Sequence, residues 1–399
     1  MSEWKKVKLG EISQTIQTGP FGSQLHQSDY SVIGIPVVMP KDIIAGNIEE
    51  ASIARVEQHH IDRLSRHMIS YGDILYARRG DVGKCAFTKQ NQEGWLCGTG
   101  CLRVTINPDM ANPKFVFFQL QKQETIGWIT NHAIGSTMLN LNTTILSNAP
   151  VEIPSLRIQN RIVEILSRYD SLIENYQKHI KLLEEAAQRL YKEWFVDLHF
   201  PGHENTNIVD GVPEGWEKKS IGEIGEYLNG FAFKPSDWQD LGKPIIKIKE
   251  MGNGVTNETP RNSGERVPAK YLIKAGDLLF SWSATLMVII WSGEEGWLNQ
   301  HLFKVTPVKG IDREFLLQSI SNTIVEFQNL TTGSTMKHIQ RNKLDQVFVN
   351  VPNAEIMKRY SDISEKTRSN ILSLQSQLRL LTEARDRLLP KLMSGEITV

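Results

Sequence analysis

Two kinds of hydrophobic pattern alternate along this 399-residue chain. In residues 1–154 and 199–352 the apolar positions fall in short runs rich in Val, Ile, Leu and aromatic side chains, bounded by Gly, Pro, Asn and Asp. Residues 35–39, 73–77 and 102–106, with 244–248, 277–281 and 303–306, are of this kind and predict strands. Residues 113–128 and 312–328 predict short helices. Residues 156–198 differ. They hold no Pro and no Gly, and apolar residues recur at Ile158, Ile162, Ile165, Tyr169, Leu172, Tyr176, Leu183, Ala186 and Leu190, with His179 in the one gap. Steps of four and three make a heptad seam. They predict a helix of roughly 60 Å at about 1.5 Å per residue. Ile356, Tyr360, Ile363, Thr367, Ile371, Leu374, Leu378, Leu381 and Leu388 predict a second such helix. Either stripe alone would leave a large apolar surface in water, so the two helices are expected to pack on each other.

The pattern repeats once, at about half the chain length. LGEI at 9–12 returns as IGEI at 221–224, and IPVVMPKDI at 35–43 as KPIIKIKEM at 243–251. GDILYARRG at 72–80 returns as GDLLFSWSA at 276–284. EGWL at 93–96 and GSTM at 135–138 recur unchanged at 295–298 and 333–336, and VEIP at 151–154 becomes VNVP at 349–352. The offsets fall steadily in one order, 212, 208, 204, 202, 198 and 198, which chance matches would not do. The last offset continues into the helical runs, where residues 192–195 (KEWF) align with 390–393 (PKLM). The expected domains are 1–154, a helix over 155–198, 199–352 with a Gly/Pro-punctuated joint at 199–215, and a helix over 353–399. The fold class is α+β with β-rich cores.

Charge narrows the partners. The chain holds 45 basic and 45 acidic side chains, and the balance is even along its length: 14 and 14 in residues 1–153, 7 and 7 in 154–198, 16 and 18 in 199–352, 8 and 6 in 353–399. This argues against a protein that grips nucleic acid alone by a broad positive field; a reader of DNA with this balance needs local basic patches or partners that supply phosphate contacts. Cys85, Cys97 and Cys101 are an odd set without a CxxC pair, which predicts free thiols in a reducing compartment. No signal-peptide core opens the sequence, and the longest apolar stretch, 285–291, is too short for a bilayer span, so a soluble cytoplasmic protein is expected.

At this point the chain resembles a known family, the specificity (HsdS) subunits of Type I restriction-modification systems. The resemblance rests on YKEWFVDLHFPGHE at 191–204 leading to GVPEGWE at 211–217, on RLLPKLMSGEI at 387–397, and on the half-length repeat, and it covers essentially the whole chain. It implies two target-recognition domains, each reading one half of a split, asymmetric site in double-stranded DNA. It implies that the two long helices form an antiparallel coiled coil that spaces them. It further implies two modification subunits carrying S-adenosylmethionine and the methyltransferase site, and restriction subunits using ATP and Mg for translocation and cleavage. The chain itself would hold no cofactor and catalyse nothing.

Base readout needs polar side chains on loops with basic groups nearby. Arg78, Arg79 and Lys84, around Gly80 and Gly83, form the densest basic turn and are the first candidates; the alternative is a solvated surface turn. The equivalent turn holds Ser281 and Trp282 without an arginine, which fits two domains with different targets; Trp282 can stack on a base or fill a core. The GSTM loops contribute Ser136, Thr137 and Asn140 in the first half and Ser334, Thr335, Lys337 and His338 in the second, or serve only as turns. Lys41, its counterpart Lys249, and the turn 19–22 facing Gly230-Phe231 are weaker candidates for phosphate contact.

Catalytic motifs are missing. GDVGK at 80–84 lacks phosphate-loop spacing, no GxGxxG occurs, and Asn107-Pro108 and Asn112-Pro113 are not methyltransferase motifs. Asp197, His199 and His203 lack a fourth ligand, and His59-His60 and Cys97/Cys101 lack ligand spacing. A two-domain protein-binding scaffold is the competing reading, and divergence of the loops within matched halves argues against it.

Overall fold

Strand by strand, the two predicted globular domains are built alike. The computed structural model describes residues 4–135, 139–330 and 341–399, and the chain divides into two units, Met1–Leu172 with Thr382–Val399, and Ile173–Leu381.

In the first unit Ser13–Thr18, Cys101–Ile106, Ile74–Ala77 and Cys85–Phe87 form an antiparallel sheet in that order. A second sheet runs Leu96–Cys97, Ile35–Val38, Ala54–Val56, Tyr30–Ser31, with its first pair parallel. Lys5–Lys8 pairs with Pro150–Ile153 and ties the start of the domain to its end. The second unit repeats this plan with Gly225–Asn229, Leu302–Pro307, Leu278–Ser281 and Met287–Ile290. Its mixed sheet again has one parallel pair, Ile245 beside Trp297, and Glu217–Ser220 closes on Phe348–Val351. Ile74–Ala77 and Leu278–Ser281 are buried at every position, which is why they read as unbroken apolar runs rather than alternating ones.

The repeated Gly-Asp dipeptides have a physical reason. The Asp73 carboxylate accepts from the Ser70 amide at 2.8 Å and the Asp277 carboxylate from the Lys274 amide at 2.9 Å, each closing the turn that leads into a central strand. Each also meets a base from the neighbouring strand: Arg103 Nε lies 3.8 Å from Asp73 and Lys304 Nζ 2.8 Å from Asp277. Burial outweighs these contacts at Asp73 and holds its carboxyl above the usual range.

The predicted short helices are each a broken pair. Asn112 caps Pro113–Leu120, and the chain breaks at Gln121-Lys122 before Gln123–His132. Asp312 caps Arg313–Asn322, followed by Ile324–Asn329. Residues 244–248 divide likewise: strand Lys243–Ile246 ends early and Ile248–Asn253 is a helical turn.

The long helices are Leu156–Tyr191, extended by a π-helical turn Lys192–Val196, and Ala354–Met393. The buried seam of the first is displaced from the expected one at alternate positions. Ile162 is buried as expected, but the partners along the stripe are Leu166, Ile173, Ile180 and Ala187, while Leu172 is 42% exposed and His179 and Ala186 face solvent. A heptad leaves two neighbouring residues competing for one seam position, and the chosen phase buries Ile180 in place of an imidazole. In the second helix Ser364 is buried and Ile363 exposed, because Ser361 and Ser364 both donate to the Asp312 cap, at 2.8 and 3.3 Å. Within the second unit Phe195 packs edge-on to Tyr360 at 4.9 Å, and further back Ile180 shares a groove with Leu378, so the helices there run with opposite chain sense.

The helix ends complete the cores. Trp194 and Phe195 join Trp216, Phe315 and Tyr360 in the second unit. Leu392 and Met393, their equivalents at the offset of 198, join Phe115 and Val116 in the first, where Gln119 Nε2 donates to the Met393 carbonyl at 3.2 Å.

Candidate nucleic-acid interface

At one end of each antiparallel sheet, loops are held together by backbone hydrogen bonds that recur in both units. In the first, the Arg78 amide donates to the Gly100 carbonyl at 2.8 Å; in the second, the Trp282 amide donates to that of His301 at 3.4 Å. Gly98 N donates to the Val38 carbonyl and Asn299 N to that of Ile246, at 2.9 and 3.1 Å. Gly19 N donates to the Cys101 carbonyl and Gly230 N to that of Leu302, at 2.9 and 3.0 Å.

Those last two glycines have a steric reason. A Cβ on Gly19 would lie 1.9 Å from the Gly98 carbonyl oxygen, and one on Gly230 2.1 Å from that of Asn299. Close passage of two backbones accounts for glycine at both sites.

Two candidate groups separated in sequence come together in the first unit. Arg79 and Asn140 form an antiparallel bridge, the Leu141 amide donates to the Arg78 carbonyl at 2.8 Å, and the Gly80 amide donates to that of Leu139 at 3.2 Å. Asn140 and Ile134, on either side of the GSTM loop, exchange backbone hydrogen bonds. Ser136 and Thr137 in that loop lie outside the described residues, as do Ser334, Thr335, Lys337 and His338. Arg79 is exposed, and Arg78 is half-buried with its Nε sealed from solvent and lacking a partner among the described residues. Lys84 is exposed and pairs with Asp81 at 3.2 Å.

The remaining candidates make contacts of their own. Lys41 sits in the turn Pro40–Asp42 and donates to the Ser52 carbonyl at 3.2 Å; Lys249, in the equivalent helical turn, lies 3.6 Å from Glu258. Ser281 is a correction: it is fully buried, its hydroxyl donates to the Thr285 carbonyl at 2.5 Å and accepts from the Met287 amide at 2.9 Å, so it shapes the hairpin and does not reach a ligand. Trp282 is half-buried beside Phe303, and its Nε1 donates to Asn229 at 3.2 Å.

The loop that follows the parallel strand, Gly98-Thr99-Gly100 and its equivalent Asn299-Gln300-His301, joins these turns and is not among the sequence candidates. A signal was present: the second triplet directly follows the EGWL run that the two halves share, the first follows it after Cys97, and they differ at all three positions.

A frame repeated in two domains, carrying unlike side chains at one end of each, defines a two-headed recognition module. A family model described as the Type I restriction modification DNA specificity domain matches residues 1–185 and again 213–378, and the chain belongs to that family. Two curated relatives match along the whole chain. The Type I restriction enzyme MjaIX specificity subunit of Methanocaldococcus jannaschii is 24% identical over 100% of this chain and 94% of its own length. The HindI specificity subunit of Haemophilus influenzae is 24% identical over 100% of both. The crystal structure of the Type I restriction-modification S subunit from M. genitalium shares the fold, with a TM-score of 0.58, 16% identity and 98% and 96% of the two chains covered. The function is that of a specificity subunit, recognition of DNA within a Type I restriction-modification system. Among the described residues no helix is long and apolar enough to cross a membrane.

Proposed function

We propose that the two domains read the two halves of a split, non-palindromic DNA site, and that the long helices pack as an antiparallel coiled coil that spaces them and seats two modification subunits. In this reading the chain catalyses nothing. S-adenosylmethionine, ATP and Mg act in the modification and restriction subunits, and the complex works in the cytoplasm.

The observation that carries the reading is the contrast at one pair of equivalent turns. The same backbone bonds hold Arg78 and Trp282, yet one turn presents two arginines and the other an indole and a buried serine. Like frames give like docking geometry, and unlike side chains give unlike targets. A scaffold binding one protein twice would have no use for that divergence.

The test is to purify the chain with the modification subunit encoded beside it and map methylation on random-sequence DNA. Adenines methylated only within one two-part motif, with one part altered when residues 1–154 are exchanged for those of another specificity subunit, would support the reading. Co-purification without any methylated motif would favour the scaffold.

A further inference from the structure

The second domain has no arginine at the turn equivalent to Arg78-Arg79, and the loop Asn299-Gln300-His301 is bonded to that turn. The loop Asn299-Gln300-His301 carries polar side chains that are already aimed. Asn299 is 3% exposed, and its amide works in two directions: Nδ2 donates to Gln300 Oε1 at 2.9 Å, and Oδ1 accepts from the His301 amide at 3.3 Å. Ser283, 4% exposed, places its hydroxyl 3.3 Å from His301 Nδ1. The His301 ring lies 5.8 Å from Trp282. Two buried polar groups therefore fix the side chains of one half-buried and one exposed residue at the domain's recognition end. The equivalent triplet of the first domain, Gly98-Thr99-Gly100, offers only a threonine hydroxyl, and arginines stand at the neighbouring turn instead.

We infer that Gln300 and His301 are the base-reading residues of the second domain, with Asn299 and Ser283 as positioning residues, and that Gln300 reads adenine. The inference rests on the proposed reading of a two-part site and names the contacts on its second half. The hydrogen bond from Asn299 sets which end of the Gln300 amide is oxygen. The second lone pair of that oxygen and the Nε2 donor match the N6 donor and N7 acceptor that adenine shows in the major groove. His301 keeps Nε2 for a neighbouring base edge, since Ser283 engages the other nitrogen. Binding geometry held by a supporting shell costs less order on contact than a flexible glutamine would.

The experiment uses the complex with the modification subunit and random-sequence duplex DNA, with methylation read by single-molecule sequencing. The wild type should methylate a two-part motif. Gln300→Ala should lower the preference at one A·T position of one part by about tenfold or more, His301→Ala should relax an adjacent position, and the other part should stay unchanged. Asn299→Ala should relax the same position as Gln300→Ala, which a general loss of packing would not do. An unaltered motif in Gln300→Ala, or uniform weakening on every sequence, overturns the inference while the two-part reading stands. Absence of any motif with the wild-type complex overturns the reading, and the inference falls with it.

Discussion

Arg79 faces Asn140 across an antiparallel bridge, and through it two loops separated by about sixty residues of chain become one surface. The neighbouring bond from the Leu141 amide to the Arg78 carbonyl fixes the base of the arginine turn. The guanidinium of Arg78 has a sealed Nε without a partner among the described residues. A charged donor left so is unfavourable in the free protein, and a ligand that engages the remaining nitrogens offsets part of the penalty.

Arg78→Ala is accordingly expected to relax recognition of one half-site only, by roughly 1–3 kcal/mol at one base pair. Competition binding of the complex against single-position DNA variants checks it. Equal loss on all sequences would make Arg78 a phosphate contact, and the salt dependence of binding would then fall in step.

Gly19→Ala and Gly230→Ala offer a paired test of the shared frame. Each introduces a Cβ within about 2 Å of a carbonyl oxygen in the crossing strand connection, so the two backbones must separate. Each should destabilise its own unit by about 1–3 kcal/mol or more, as overpacking does, and weaken one half-site without affecting the other. Chemical denaturation together with half-site binding measures both effects; a neutral substitution would mean that the crossing is looser than described.

Much of the frame was legible because it repeats. The Gly-Asp dipeptides, the strands after them and the long helices all carry local signals, the first because a carboxylate must close its own turn and the last because a heptad seam is periodic. The phase of the seam was not legible. Leu172 and Ile173 are equally apolar, and what selects Ile173 is the succession Ile180 and Ala187 against His179 and Ala186, together with what each face meets. Ser364 won over Ile363 for a reason no local pattern contains, a cap aspartate some fifty residues away. At the candidate site the arginines stood out by charge. Asn299-Gln300-His301 did not, because the value of those residues lies in two buried partners that only the fold brings beside them.

Glu314 makes a pH prediction. It is 5% exposed in the second unit, and burial raises its carboxyl above the ordinary range despite the Gln318 amide at 2.7 Å and the Arg368 charge; Asp312 and Glu184 push the same way as burial. A folded-state value above the unfolded one means the folded protein binds the proton more tightly. The stability this group contributes is present below the unfolded carboxylate value and is lost as pH rises through the folded one. Glu314→Gln removes that titration. Its melting temperature relative to wild type should become more favourable as pH rises from about 4 to 8. A difference moving in the opposite direction would show that the Arg368 attraction outweighs desolvation.

The helix ends make the sharpest prediction about how the fold is held. Leu392 is 1% exposed in the core of the first unit, although nearly the whole of the intervening chain separates it from the strands it covers, and Phe195, next to its equivalent Trp194, is 4% exposed in the core of the second. Neither can be replaced by collapse of its neighbours: Leu392 sits against the rigid helix Pro113–Leu120, and Phe195 against Phe315 and Tyr360, both at 4.9 Å between ring centroids. Leu392→Ala should cost about 2–5 kcal/mol and Phe195→Ala about 3–5 kcal/mol. The losses should fall in different units. Limited proteolysis of Leu392→Ala should open sites in residues 4–135 first, and Phe195→Ala sites in 199–330. Identical digestion patterns would show instead that the two units unfold as one, so that the final turn of each long helix stabilises the whole chain and not the domain it completes.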